Sequence, residues 1–212
     1  MPPRKGVNNR RGAASREQIL DAAVELFAEK GYRGSTLAML ADRVGMSHVG
    51  ILRHFGTKEN LLRAVLARRI EFMSELKEQL EGKGLSGFTS LPSLSLPDAL
   101  IRLATVLRAE NLNPDDPLHD DFVKELLDNR SFLAAEIRRA QRRGEMRRDI
   151  DANSKAIEIM AFATGLETLW LLEPNEVNRE KVLRSYGKSL ADTAVSPDPQ
   201  EAGPTKGRRR NS

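Results

Sequence analysis

The 212-residue chain is predicted to be all-α, with an N-terminal three-helix domain containing a helix-turn-helix and a larger C-terminal helical body. Three observations lead there. Apolar residues recur at i, i+3, i+4 and i+7 along several segments. Ser, Thr or Asp stands ahead of these segments and Gly behind several of them, as helix caps require. And residues 35–59 spell two short helices joined by a glycine turn.

The elements follow in order. Ser15 to Gln18 has the form of a capping box and is expected to open a helix carrying Ile19, Ala23, Leu26 and Phe27 on one face, closing at Gly31. Thr36 caps a second helix with Leu37, Leu40, Ala41 and Val44 along one side, and Gly45 supplies its left-handed exit. Ser47 caps a third, in which Ile51 and Phe55 pack inward while His48, Val49, Leu52 and Arg53 point elsewhere. A helix whose first turn is polar and uncrowded suits a DNA major groove. Thr57 caps a fourth, with Leu62, Val65, Leu66, Met73, Leu76 and Leu80 as a long stripe.

From Gly82 the chain reads G-K-G-L-S-G-F-T-S-L-P-S-L-S-L-P, an irregular connection expected to fold onto the body, over a pocket mouth or as a linker. Asp98 is expected to cap a helix bearing Leu100, Leu103, Ala104 and Leu107. Another helix, or a pair broken near residues 128–131, carries Phe122, Leu126, Leu133, Ile137 and Ala140. The arginines around Gly144 (Arg138, Arg139, Arg142, Arg143, Arg147, Arg148) read as a solvated helix C-terminus, where cations oppose the dipole, and not as a second nucleic-acid site. Residues 156–172 are apolar nearly all round, with Glu158 and Glu167 the only charges, so that helix must be buried on more than one side. A last helix presents Val182, Leu183, Tyr186 and Leu190.

The N-terminal residues resemble those of the TetR-type transcriptional regulators. Residues 19–32 read I-L-D-A-A-V-E-L-F-A-E-K-G-Y, Thr36 to Ala41 read T-L-A-M-L-A, and residues 45–61 continue G-M-S-H-V-G-I-L-R-H-F-G-T-K-E-N-L. The likeness fixes residue types at many separated positions over about 60 residues; beyond them it rests on helix count and spacing. It implies a helix-turn-helix (about 37–56) within a DNA-binding domain of residues 14–74, and a ligand-binding and dimerisation domain of residues 75–194. Two positions depart from the family pattern: Val49 stands where Gly is usual, and Leu52 where a phosphate-contacting Tyr is usual. Leucine cannot donate to a phosphate, so Arg53 or His54 would supply that charge, and Val49 could touch a thymine methyl. The expected DNA-facing set is Thr36, Ser47, His48, Val49, Gly50, Leu52, Arg53, His54 and Lys58.

Charge is uneven in the same sense. Residues 1–58 hold ten Lys/Arg against five Asp/Glu, whereas residues 59–194 hold 20 against 23. A basic head on an acidic body is the footprint of phosphate binding. Arg4, Lys5, Arg10 and Arg11 are expected to form a disordered arm over residues 1–13, and residues 195–212 a disordered tail. The chain has no cysteine, which excludes disulfides, thiolate nucleophiles and zinc–cysteine sites, and its three histidines are too scattered to suggest a metal site. No motif places a nucleophile or paired acids for an enzyme, and no cofactor is implied. No apolar run reaches membrane-spanning length and no signal core follows the basic start, so a cytoplasmic protein is expected.

The resulting expectation is a homodimeric transcriptional regulator, a repressor on a palindromic operator in double-stranded DNA, switched by a small apolar or amphipathic effector. The alternatives are an architectural DNA-binding protein without a ligand switch and a helical protein-binding adaptor. The effector pocket is expected among Leu103, Leu107, Phe122, Leu126, Met160, Phe162, Thr164 and Trp170. The dimer seam is expected along Ala161, Gly165, Leu166, Leu169, Val182 and Tyr186, two helices per protomer making a four-helix interface.

Overall fold

The computed structural model describes residues 5–84, 86–87 and 96–194, and contains eight helices among them. These are α1 (Lys5–Gly34), α2 (Leu37–Val44), α3 (His48–Phe55), α4 (Lys58–Leu80), α5 (Asp98–Ala109), α6 (His119–Arg142), α7 (Ala152–Leu172) and α8 (Arg179–Ala194). Most of the expected connection over residues 82–97 and the tail from residue 195 lie outside the described residues, as does Arg4.

The caps form as the sequence dictates. Thr36, Ser47 and Thr57 each accept a hydrogen bond from the backbone N–H three residues on, at Met39, Gly50 and Asn60. Gly45 takes φ 65, and the next N–H, of Met46, returns to the Ala41 carbonyl at 3.0 Å. Asp151 caps α7 by accepting from Ser154 N–H at 2.7 Å, and that bond holds its carboxyl below the ordinary range.

Two expectations are corrected, and one choice left open by the sequence is decided. First, α1 begins at Lys5, so residues 5–13 continue the helix where a disordered arm was expected and Ser15 lies inside it. Residues 5–18 contain no proline, and a helix anchored by packing at Ile19 propagates cheaply through Ala- and Arg-bearing turns. Second, of the two alternatives for the following segment, one helix or a broken pair, the single helix forms: α6 runs unbroken through residues 128–131, since its buried stripe of Ala134, Ile137 and Ala140 continues a helix already started by Asp120 and Asp121 at its N-terminus. Third, Asp98 is the first helical residue and makes no cap; its carboxylate receives Arg179 at 3.3 Å.

Two cores organise the chain. The first joins Ile19, Leu26 and Phe27 of α1, Leu40 of α2, Ile51 of α3 and Leu61 of α4 with Leu100, Leu103 and Leu107 of α5. The second joins Ala134, Ile137 and Ala140 of α6, Ala156 and Ile159 of α7 and Leu190 of α8. α5 thus buries its apolar face against the head. Leu103 and Leu107 are completely buried there, each contributing about 1.5–3 kcal/mol.

Candidate nucleic-acid interface and effector site

The helix-turn-helix is fixed from within. Leu40, Ala41, Ile51 and Phe55 are buried, and Arg43 makes a two-pronged pair with Glu29 at 3.2 and 2.7 Å that ties α2 to α1. Gly50 lets the third helix start tightly, because a Cβ there would lie 3.3 Å from Ser47 Oγ and 3.4 Å from Met46 Cε. What remains outward is the first turn of α3. His48 is exposed and Val49 is 73% exposed, an apolar side chain held in water with nothing of its own chain to cover it. Thr36, Ser47 and Arg53 are exposed, while Gly50, Leu52 and His54 are half-buried. Leu52 is therefore neither a core residue nor a hydrogen-bond donor to phosphate.

Lys58 is placed otherwise than expected. Its ammonium donates to the Tyr32 carbonyl at 2.5 Å and lies 4.2 Å from the Tyr32 ring centroid. The cause is Gly31, whose φ 71 and ψ 172 interrupt α1 and expose the last carbonyls of that helix. Burial lowers the Lys58 pKa, opposed by the nearby Glu110. Lys58 is thus tied to the inside of the head in the protein without DNA.

The same spot joins head to body. Tyr32 N–H donates to Glu110 Oε2 at 2.8 Å, and Arg33 donates to the Glu110 carbonyl at 3.2 Å and to Asp116 at 2.6 Å. Gly31 is pressed against that carboxylate so closely that a Cβ would sit 2.2 Å from Glu110 Oε1.

The eight residues expected to line an effector pocket are not brought together. Leu103 and Leu107 are core against α1, Phe122 packs on that same core, and Leu126 is 53% exposed because its face of α6 carries no covering helix in the protomer. Thr164 is exposed, Met160 is half-buried, and Phe162 stacks on Tyr186 with ring centroids 3.8 Å apart. Trp170 alone meets an unusual partner, the Arg179 guanidinium 4.5 Å from its ring centroid. A groove of about 770 Å³ does exist, but it lies at the seam of α1, α2, α4 and α5, bordered by Val24, Val44, Phe72 and Leu100.

Trp170 instead leads to a charged centre spanning α4 to α8. Arg69 of α4, buried, donates twice to Glu125 of α6 at 2.5 and 2.8 Å. Burial pushes Glu125 up, yet the Arg69 hydrogen bonds and charge hold it below the ordinary carboxylate range. Glu167 of α7 faces Arg108, Arg69 and Arg179, and burial prevails, raising its pKa. Arg179 Nη1 is sealed from solvent and has no hydrogen-bond acceptor, which costs about 1–3 kcal/mol for a group of this kind. The sequence signal for this centre was Glu167, one of two acids in the largely apolar α7, and Arg69 within the α4 stripe; neither says which charges meet.

Residues 19–65 match the family described as bacterial regulatory proteins of the tetR family, and residues 114–194 match the BetI-type transcriptional repressor C-terminal domain. The HTH-type transcriptional repressor Rv1474c of Mycobacterium tuberculosis is 32% identical over 145 residues, 66% of this chain and 74% of that protein. The HTH-type transcriptional repressor AcnR of Corynebacterium glutamicum is 32% identical over 146 residues, 64% of this chain and 71% of that protein. The chain belongs to the TetR family.

Its fold is that of solved relatives such as a transcriptional regulator from Saccharomonospora viridis in complex with choline, with TM-score 0.73 and 22% identity over 87% of this chain and 100% of that one. A TetR-type helix-turn-helix with a repressor-type C-terminal domain makes the chain a DNA-binding transcriptional repressor. Among the described residues no cluster of three or more His, Asp or Glu is placed to hold a metal ion, and no helix is long and apolar enough to cross a membrane. The arginines near Gly144 are partly spent internally, Arg139 on Glu136 at 3.5 Å, Arg143 on Glu145 at 3.8 Å and Arg147 on Asp149.

On the TetR body's far side, α7 and α8 leave an apolar face uncovered. Leu169 is 58% exposed, Ile157 52%, Leu172 71% and Val182 36%; Ala161 and Gly165 lie between them, also exposed, with nothing within 4 Å of a Cβ built at Gly165. Tyr186 is half-buried. Leu166, expected in the seam, is instead buried in its own protomer, because the all-round apolar α7 turns that position inward.

Proposed function

We propose that this TetR-family repressor acts in the cytoplasm as a homodimer joined through α7 and α8, reading a palindromic operator with one α3 per half-site and releasing it when a small apolar or amphipathic effector binds in the body. The uncovered apolar face of α7 and α8 carries this reading, since large apolar side chains standing in water are costly and mark an association surface. Ala161 and Gly165 at its middle allow close helix approach across a two-fold axis. Two α3 helices related by such an axis must lie about 34–36 Å apart, or a multiple of that, to enter successive major grooves. A rotation of each head therefore suffices to lose the operator, and α5, packed in the head's core and latched through Glu110, is the element that passes it on.

The test is selection of genomic DNA fragments on the purified chain, with the stoichiometry of the selected complex measured by light scattering. An enriched inverted repeat bound by a dimer is expected. Equal affinity for random duplexes would favour an architectural protein instead.

A further inference from the structure

The charged centre of the body is supplied with more guanidinium than it uses. Three arginines on three different helices, Arg69, Arg108 and Arg179, surround Glu125 and Glu167, with Asp98 a third acid on the outer side of Arg179. Glu125 is already spent on Arg69 through two hydrogen bonds. The Arg108 side chain faces both carboxylates, but among the described residues its guanidinium makes no hydrogen bond and no ion pair within 4 Å. Arg179 spends Nη2 on Asp98 and its face on Trp170, leaving buried Nη1 without an acceptor. Glu167, the remaining acid, is not within ion-pairing distance of any of the three.

We propose that this centre is the effector site and that it takes a small organic anion, a carboxylate joined to an apolar group, with the carboxylate held by Arg108 and Arg179 Nη1 and the apolar part beside Trp170. This rests on the reading of the chain as an effector-controlled repressor and names the effector's chemistry. Glu125 and Asp98 already match Arg69 and Arg179, which leaves the Arg108 guanidinium and Arg179 Nη1 as donors without an acceptor; a carboxylate accepts from both, whereas a cationic ammonium group can accept from neither. A ligand without a hydrogen-bond acceptor would leave the Arg179 donor unsatisfied, and a neutral acceptor makes a weaker bond to guanidinium than a carboxylate does. The tendency of burial to neutralise Glu167 reduces the repulsion that an entering anion meets.

Trp170 is the only tryptophan of the chain, so its emission reports on this site alone. The experiment titrates the full-length protein at pH 8 with three matched series built on phenyl, naphthyl and decyl groups, each as carboxylate, primary amide and ammonium compound, and follows Trp170 fluorescence. At least one carboxylate is expected to bind about tenfold or more tighter than its own amide and ammonium analogues. Arg108→Gln should remove that preference and Arg108→Lys should keep part of it. Glu167→Gln, which removes a negative charge beside the bound anion, should tighten carboxylate binding severalfold, a gain that a merely structural residue would not give. Tighter binding of an ammonium series, weaker carboxylate binding in Glu167→Gln, or no fluorescence response to any carboxylate would overturn the site. Operator affinity is measured on the same samples. A protein that holds its operator but ignores every carboxylate loses this inference and keeps the repressor reading; one that binds a carboxylate at Trp170 without any change in operator affinity keeps the site and loses the switch.

Discussion

The junction of Gly31 with Glu110 makes a quantitative demand on a pair of substitutions. Glu110→Ala removes the acceptor of the Tyr32 N–H, a charge-assisted bond of 2.8 Å in a partly buried place, and should cost about 1–2 kcal/mol. For a chain of this size that lowers Tm by about 3–6 °C. Gly31→Ala should cost more, for two separable reasons. The conformation at φ 71 and ψ 172 is essentially open to glycine alone, a strain of about 1–3 kcal/mol for alanine. The new Cβ also lands 2.2 Å from Glu110 Oε1, so the carboxylate must swing away and give up the Tyr32 bond, a further 1–2 kcal/mol or so. In the double variant there is no carboxylate to displace, and only the strain is added to the loss already present. The double variant should therefore be less destabilised than the sum of the two singles by about 1–2 kcal/mol. Denaturant unfolding of all four proteins measures this directly. Additivity within about 0.5 kcal/mol would refute the claim that Gly31 is glycine partly to admit Glu110.

Further outcomes follow from the same placement of side chains. Leu169→Glu, on the uncovered face of α7, should yield a folded monomer by light scattering, while Leu166→Glu, buried in the protomer, should lower Tm sharply; a full-strength Leu169→Glu dimer would move the interface elsewhere. His48→Ala should cost about 1–3 kcal/mol on the selected operator and little on random duplex, whereas Lys58→Ala should lower Tm and flatten the salt dependence by less than the roughly 2 units that a free phosphate contact in each protomer would give; the reverse pattern would mean that α3 is wrongly oriented. Glu125 has a folded pKa below its ordinary value, so its stabilising share is fully present above about pH 4.5 and is lost as pH falls through the lower folded value. Glu125→Gln should thus cost stability at pH 7, on the order of 3 kcal/mol because Arg69 is left buried and unpaired, and should flatten the fall of Tm between about pH 5 and 3. An unchanged acid limb in that variant would remove Glu125 from the account.

The head was legible in the sequence because its determinants are local. Thr36, Ser47 and Thr57 each bond a residue three positions away, and Gly45 closes α2 by its own backbone conformation, so each signal is complete within a few letters. Lys58 was misplaced because its partner, the Tyr32 carbonyl, lies 26 residues back and becomes available only through the break at Gly31. The body was legible as helices and illegible as a site. A stripe tells which face of a helix is buried, not against what, and so Leu103 and Leu107 read as pocket lining when they are core of the head. Along α7, where nearly every position is apolar, no pattern separates inward Leu166 from outward Leu169 three residues on. Arg69 and Glu125 are 56 positions apart, and nothing in the intervening sequence announces their pairing.

The last turn of α5 draws these features into one mechanism. Arg108 and Glu110 are two residues apart, about 200° around a helix, and so face opposite ways. Arg108 looks into the charged centre beside Glu125 and Glu167, while Glu110 holds the backbone of Tyr32 at the end of α1. Before them Leu103 and Leu107 lock the helix into the head's core. A ligand that shifts the backbone of this turn through Arg108 would strain the 2.8 Å bond between Glu110 and Tyr32. On the proposed effector site, the distance to the DNA-reading head is bridged by this one turn, through which the body holds the end of α1.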